Sequence, residues 1–321
     1  MVHPRGALRR VPAGDLRPGD HVCLLYASDE ERTAVLRDLV RDGLDAQDKI
    51  LYLAGPREPR DAAALLDQAG RPEGRVDVVP LREFLTGEGE LEPDALLGHL
   101  RRAAARSRAE GFRALRVAGD LSAALRDEGR DECDVRRLLR YEALLGEEFG
   151  SGQALAVCQY DARRCDPAAL DAVESVHARG VEADPLVRTA ELLVARTYRP
   201  QGLRLEGVVD TAAHRQLRDA LRSVAAVRED VRLEMSRVEF LDLGGLRLLM
   251  TFARARAARH RTVELAGLAP HLAQVITLIG WDRTPGLVLG RRGRPSGRTA
   301  VPTPPRAPSS ADSAAPARTA R

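Results

Sequence analysis

Between His21 and His177 the chain repeats one unit: a short apolar run, a turn residue, then a longer segment with apolar residues at helical spacing. This rhythm constrains the fold more than any single motif. A strand followed each time by a helix can pair parallel with its predecessor, because the helix supplies the crossover. HVCLLYA (21–27), KILYLAG (49–55), VDVVPL (76–81), ALRVAGD (114–120) and GQALAVCQYDA (152–162) read as five such strands. Ser28, followed three residues later by Glu31, is a capping-box signature. Val35, Leu36, Leu39, Val40 and Leu44 form one stripe of the helix it opens. Further helices are predicted over 58–69, from Pro93 or Asp94 to Glu110, from the polar stretch 126–134 to Phe149, and from Asp166-Pro167 to His177. The expected result is an α/β domain with a parallel sheet, helices on both faces and right-handed crossovers.

The rhythm changes near residue 187. LLVARTY (192–198) and GLRLEGVVD (202–210) read as two strands around the turn Pro200-Gln201-Gly202. A helix over 211–224, a strand over 231–241, a helix from Gly245 to His260, a strand over 262–268, a helix over 270–279 and a strand over 287–290 complete a compact second α/β unit. Residues 291–321 contain six prolines and no Leu, Ile, Met or aromatic residue. Such a composition cannot bury enough apolar surface to offset chain entropy, so the tail is expected to be disordered. The expected division is 15–187, 190–290 and the tail 291–321.

Charge narrows the function. The net charge is +3, but the tail holds seven Arg and one Asp, which leaves −3 for residues 1–290. A mildly acidic body does not predict specific nucleic-acid binding. The cysteines Cys23, Cys133, Cys158 and Cys165 follow no CxxC spacing and fit reduced thiols of a cytoplasmic protein. The N-terminus has no apolar signal-peptide core, and no run reaches the roughly 18–20 apolar residues of a membrane span. A cytoplasmic protein without membrane attachment is expected.

The chemistry-bearing positions are few. After the first strand the chain reads Ala27-Ser28-Asp29-Glu30-Glu31-Arg32-Thr33. It lacks the glycines and lysine of a phosphate-binding loop, and three carboxylates there repel a triphosphate. ALRVAGD has the outline of a strand ending in a metal–nucleotide aspartate, Asp120, but no cradle accompanies it. No catalytic residue and no cofactor are assigned. Ligands of open parallel sheets sit at the carboxyl ends of strands. That places Tyr26, Ser28, Asp120, Tyr160 and Asp161 at a candidate ligand site; His21 and Cys23 share one face of their strand, and Cys158 and Tyr160 likewise share one face of theirs. His21, Cys23 and Cys158 have metal-ligating side chains, but their spacing is not diagnostic, and buried cysteine is commonly a small core hydrophobe; no metal is assigned. His177 reads as a helix C-terminal cap and Trp281 as a packing anchor.

In the second unit, VEFLDLGGLRLLM (238–250) runs a strand into Asp242 and leaves as a helix. With LRLEGVVD and AGLAPHLAQVITLIGW, it makes residues 190–290 resemble the STAS domain of sulphate transporters and anti-sigma-factor antagonists. The resemblance implies that Asp242, Leu243, Gly244 and Gly245 form the partner-binding loop, with Leu243 at the position of the phosphoacceptor Ser. Leu243 has no oxygen to phosphorylate, so that switch is absent; the turn is then either a docking surface or a structural turn with Leu243 anchored in the core. Gly244 and Gly245 suit close approach by a partner backbone.

HVCLLYASDEER, ALRVAGDLSAAL and CQYDARRCDPAALDAV make residues 15–187 resemble the MEDS sensory domain, a diverged relative of the RecA-type ATPase fold. The fused pair implies a non-catalytic signalling regulator. Its sensory half takes a small molecule, and its STAS half binds an anti-sigma factor or kinase-like regulator. Two alternatives remain: a residual nucleotide-binding ATPase, and a scaffold that self-associates into a homo-oligomer through STAS units.

Overall fold

A computed structural model describes residues 8–55, 64, 66, 74–87, 89–125, 132–150 and 152–290. The helix expected over 58–69 falls mostly outside these residues, and the tail 291–321 falls wholly outside them.

The first sheet is built from β1 (Arg10–Pro12), β2 (His21–Tyr26), β3 (Lys49–Ala54), β4 (Val76–Pro80), β5 (Leu115–Asp120), β6 (Ala154–Asp161) and β7 (Arg179–Glu182). Its seven strands run in the order β1-β7-β2-β6-β5-β3-β4, and every pairing is parallel. β2, β3, β5 and β6 are almost wholly buried, as strands covered on both faces must be. One face carries α1 (Asp29–Asp45), whose Val35, Leu36, Leu39 and Val40 pack on Val22, Leu24, Tyr26 and Val157. Burial of each such side chain contributes about 1.5–3 kcal/mol. The other face carries α2 (Pro93–Ala109), α3 (Glu132–Phe149) and α4 (Pro167–Val176), packed on Cys23, Val117, Cys158 and Tyr160.

Ser28 caps α1 by accepting from Glu31 N at 3.1 Å. The Glu31 carboxylate reaches back one residue beyond the cap, accepting from Ala27 N at 2.7 Å.

The second sheet contains β8 (Val187–Arg188), β9 (Leu192–Tyr198), β10 (Gln201–Val209), β11 (Val231–Leu241), β12 (Val263–Ala266) and β13 (Leu287–Leu289). Its order is β13-β12-β11-β10-β9-β8, antiparallel at β8–β9–β10 and parallel beyond. Helices α5 (His214–Ser223), α6 (Leu243–Ala257) and α7 (Pro270–Leu278) cover its core. The chain is thus mixed α/β, with a parallel sheet first and a second α/β unit after it. Among the described residues, no helix is long and apolar enough to cross a membrane.

The two units meet through charged pairs. Arg204 on β10 grips Glu182 on β7 with two hydrogen bonds, 3.0 and 2.8 Å. Arg196 on β9 pairs with Glu30 at 3.1 Å, and Arg188 with Asp15 at 2.9 Å.

Candidate functional site

The eight residues read from the sequence as one ligand site divide between the two faces of the first sheet. Alternation along β2 and β6 sends His21, Cys23, Cys158 and Tyr160 to the face under α3, and Tyr26 to the face under α1.

On the α1 face, Asp120 meets Arg32, which is fully buried. The Arg32 Nη1 atom lies 3.4 Å from Asp120 Oδ2, and its Nε donates to Gln159 Oε1 at 2.9 Å. Nη2 donates to the Tyr52 hydroxyl. Tyr26 donates to Asp120 at 3.4 Å and lies under the guanidinium, 5.4 Å from ring centroid to Cζ. The Asp120 carboxylate also accepts from Ser122 N at 3.0 Å. A buried guanidinium therefore faces this aspartate as its counter-charge. Asp161, the next strand end, accepts from Arg163 at 2.7 and 3.0 Å. Burial would raise its carboxyl, but Arg163 outweighs that and holds it below the usual value. Ser28 is occupied as a helix cap.

Beyond these strand ends lie two clefts walled by both units. One, of about 440 Å³, is lined by Leu25, Ala27 and Ala162 from strand ends and by Arg196, Tyr198 and Arg204 from the second unit. The other, of about 570 Å³, is lined by Asp29, Glu30, Arg37, Asp184, Arg196 and Tyr198 among others. Both lie within the usual size of small-molecule sites.

On the α3 face, one carboxylate organises the chemistry. Glu142 lies on α3 between the buried Leu138 and Leu145 and is itself fully buried. Its Oε2 lies 2.8 Å from His21 Nε2, 3.1 Å from Cys158 Sγ and 3.4 Å from His177 Nε2. Its Oε1 accepts from the Tyr160 hydroxyl. Burial alone would raise the Glu142 carboxyl, but the two facing imidazoles hold it well below the usual carboxylate range. Burial pulls His177 down, and Glu142 more than reverses that. Burial, then the Glu142 charge, pushes the Cys158 thiol up. Cys23 stands apart from this group; burial, then Glu174 and Glu142, pushes its thiol up to about 12.

Two of these residues escaped the sequence reading. His177 is no mere cap: its ring is buried beside His21, centroids 4.3 Å apart, with Nδ1 2.9 Å from Val173 O. Glu142 had one usable signal, an acid set in the apolar stripe Leu138, Tyr141, Leu145, Phe149.

In the second unit, α6 begins at Leu243, so the expected loop is a helix cap and first turn. Asp242 Oδ1 accepts from Gly245 N and from His214 Nε2, both at 2.7 Å. Partial burial would raise its carboxyl, but the Gly245 N–H and His214 lower it. Both glycines are closely packed within the domain. A Cβ on Gly244 would lie 2.2 Å from the His214 ring, and one on Gly245 would lie 2.5 Å from Leu241 Cδ1. Leu243 is not anchored in the core: it is 48% exposed, and Phe240 nearby in sequence is 51% exposed.

The family described as MEDS: MEthanogen/methylotroph, DcmR Sensory domain, matches residues 20–178. The family described as Mlab, STAS domain, matches residues 192–290. Among solved structures, the anti-sigma factor antagonist SpoIIAA in its unphosphorylated form is similar at 18% identity, over 31% of this chain and 89% of that one, with a TM-score of 0.26. The Bacillus cell fate determinant SpoIIAA in the phosphorylated form is similar at 22% identity, over 28% and 81%, with a TM-score of 0.24. No curated protein matches the chain. Residues 20–178 form a MEDS domain, and the chain joins it, in that order, to a STAS domain over 192–290.

Proposed function

We propose that this chain is a non-catalytic signalling regulator. Its MEDS domain senses a small molecule, and its STAS domain binds an anti-sigma factor or kinase-like regulator through Asp242, Leu243 and the first turn of α6. The observation that carries the reading is the exposed Leu243. An apolar side chain stands half out of the surface on a helix start fixed by the Asp242–His214 pair, where the phosphoacceptor of the resembled antagonists would be. Solitary exposed leucines are ordinary, but here Phe240 precedes it, and an apolar anchor beside a rigid cap suits protein docking. Docking of this kind is constitutive toward phosphorylation, so control must come from the MEDS side.

The small molecule is assigned to the clefts between the domains, where Arg196, Tyr198 and Arg204 of the STAS domain face the strand ends of the MEDS domain. A ligand there touches both units and so has a route to differential binding. Nucleotide hydrolysis is disfavoured by Arg32, which already compensates Asp120.

The test is affinity capture with the tagged full chain. Wild type and a Val78→Asp control should retain an anti-sigma-type or kinase-type regulator identified by mass spectrometry, and Leu243→Asp should lose it. Equal capture by Leu243→Asp would refute the docking assignment. Calorimetry with ATP and Mg²⁺ should give no heat; binding abolished by Asp120→Ala would favour the ATPase reading instead.

A further inference from the structure

The group around Glu142 asks more of one oxygen than hydrogen bonding can supply. Three side chains, His21, Cys158 and His177, converge on Oε2 alone, while Oε1 is held by Tyr160. A carboxylate oxygen offers about two lone-pair directions. Two of the converging groups approach with hydrogen-bond geometry, whereas the buried His177 Nε2 stands 3.4 Å away in ion-pair range without a hydrogen-bond partner. The opposite edge of that ring faces Val173 O at 2.9 Å, which fixes a proton on Nδ1. A proton on Nε2 would make the 3.4 Å approach to Glu142 Oε2 an ion pair; once an ion displaces that proton, Nε2 presents a lone pair to the centre of the group.

We infer that His21 Nε2, Glu142 Oε2, Cys158 Sγ and His177 Nε2 bind one divalent ion of the zinc class in four-fold coordination. The four atoms lie within 4.8 Å of one another. Bonds of about 2.0–2.3 Å to a tetrahedral ion separate its ligand atoms by about 3.3–3.8 Å. The separations here include 2.8, 3.1, 3.4 and 3.5 Å, so small outward shifts of the side chains admit the ion. The donor set, one thiolate, two imidazoles and one carboxylate, suits a borderline ion better than a hard one such as magnesium.

The supporting contacts are those a metal site needs. The Nδ1–H of His177 donates to a backbone carbonyl, and Tyr160 holds the second carboxylate oxygen, so both ligands are oriented. A Cβ at Gly146 would lie 3.0 Å from His21 Nδ1, so glycine there leaves room for that ring. Charge also closes: a carboxylate and a thiolate with two neutral imidazoles carry −2, which a divalent ion cancels inside a buried site. The ligands come from β2, α3, β6 and the end of α4, so the ion would tie the sheet to two helices that cover it. With four protein ligands and little exposure, the site is closed rather than open to a reacting water. This inference does not depend on the partner or ligand proposed above.

The test uses the full chain, stripped with a chelator and titrated with Co²⁺. One equivalent should produce the intense visible bands of four-coordinate cobalt and a thiolate-to-cobalt charge-transfer band, both erased by Zn²⁺. Cys158→Ser should lose the charge-transfer band while Cys23→Ser keeps it, and His177→Ala should bind Co²⁺ at least about tenfold more weakly. Because a core variant can misfold, X-ray absorption of the zinc-loaded wild type supplies an independent measure. One sulfur at about 2.3 Å with nitrogen or oxygen at about 2.0 Å is expected. A wild type without the charge-transfer band, a band unchanged in folded Cys158→Ser, or a shell without sulfur would each overturn the site.

Discussion

The pair Arg204–Glu182 links the two domains through two hydrogen bonds, and its strength can be measured. Its two hydrogen bonds are charge-assisted, at 2.8 and 3.0 Å. Hydrogen bonds to charged groups contribute about 1.5–3 kcal/mol net, whereas exposed ion pairs contribute about 0.2–1 kcal/mol. The side chains here are 25% and 15% exposed, which places the pair between those limits, at about 1–2 kcal/mol. Arg204 also donates to Glu206 at 2.7 Å, but Arg237 holds that carboxylate independently at 3.1 and 3.2 Å. Truncating Arg204 therefore leaves Glu182 short of a partner more than Glu206. The assay is a double-mutant cycle of Arg204→Ala, Glu182→Ala and the double variant in the full chain, by urea unfolding followed through circular dichroism. The contact disappears when either domain unfolds, so the coupling belongs to the first transition. Single effects that sum to the double within about 0.5 kcal/mol would refute the link.

Three other outcomes follow from charge and burial. Asp48 is fully buried and accepts from Arg113 at 2.8 Å and from the buried Arg116 at 2.6 Å. Asp48→Ala should destabilise the MEDS domain by about 3–5 kcal/mol in thermal or urea unfolding, because Arg116 loses its counter-charge in the core. Arg113→Ala, at an exposed partner, should cost about 1 kcal/mol or less. Burial would raise the Glu206 carboxyl, but Arg204 and Arg237 lower it below its ordinary 4.5. Its contribution to stability is then complete above pH 4.5 and lost as pH falls through the folded value, so Glu206→Gln should flatten that part of the acid-unfolding curve.

The fold was legible where elements are long and periodic. The helical stripe from Val35 to Val40 and the strands β2, β3, β5 and β6 all lie where apolar pattern put them. β1 and β7 were invisible because RVP and RGVE are short, offer no alternation and gain their pairing only from the finished sheet. The faces of His21, Cys158 and Tyr160 could be read from strand alternation. Their convergence with Glu142 and His177 could not, because it depends on how α3 and α4 pack across the sheet. Arg32 was hidden for a different reason: a charged residue in the first turn of a helix reads as solvated, and only the tertiary fold turns it inward to Asp120.

One element connects the contact between domains to the proposed docking surface. Arg196 holds Glu30 of the MEDS domain and also donates to Ser223 O, at the carboxyl end of α5, at 2.9 Å. The other end of α5 is His214, whose ring bonds Asp242, the cap of α6, at 2.7 Å. A shift of α5 along its axis would therefore reach the residue next to Leu243. Gly244 leaves the His214 ring no slack on that side, since even a Cβ there would collide with it. Spatial continuity is not coupling, so the link must be measured. Arg196→Ala should move the His214 ring resonances in NMR spectra of the full chain while leaving those of His260, outside this route, in place. Unchanged His214 resonances would mean that α5 is rigidly seated by Leu217 and Leu221 in the STAS core, and that any signal from the MEDS domain reaches Leu243 by changing its accessibility rather than its geometry.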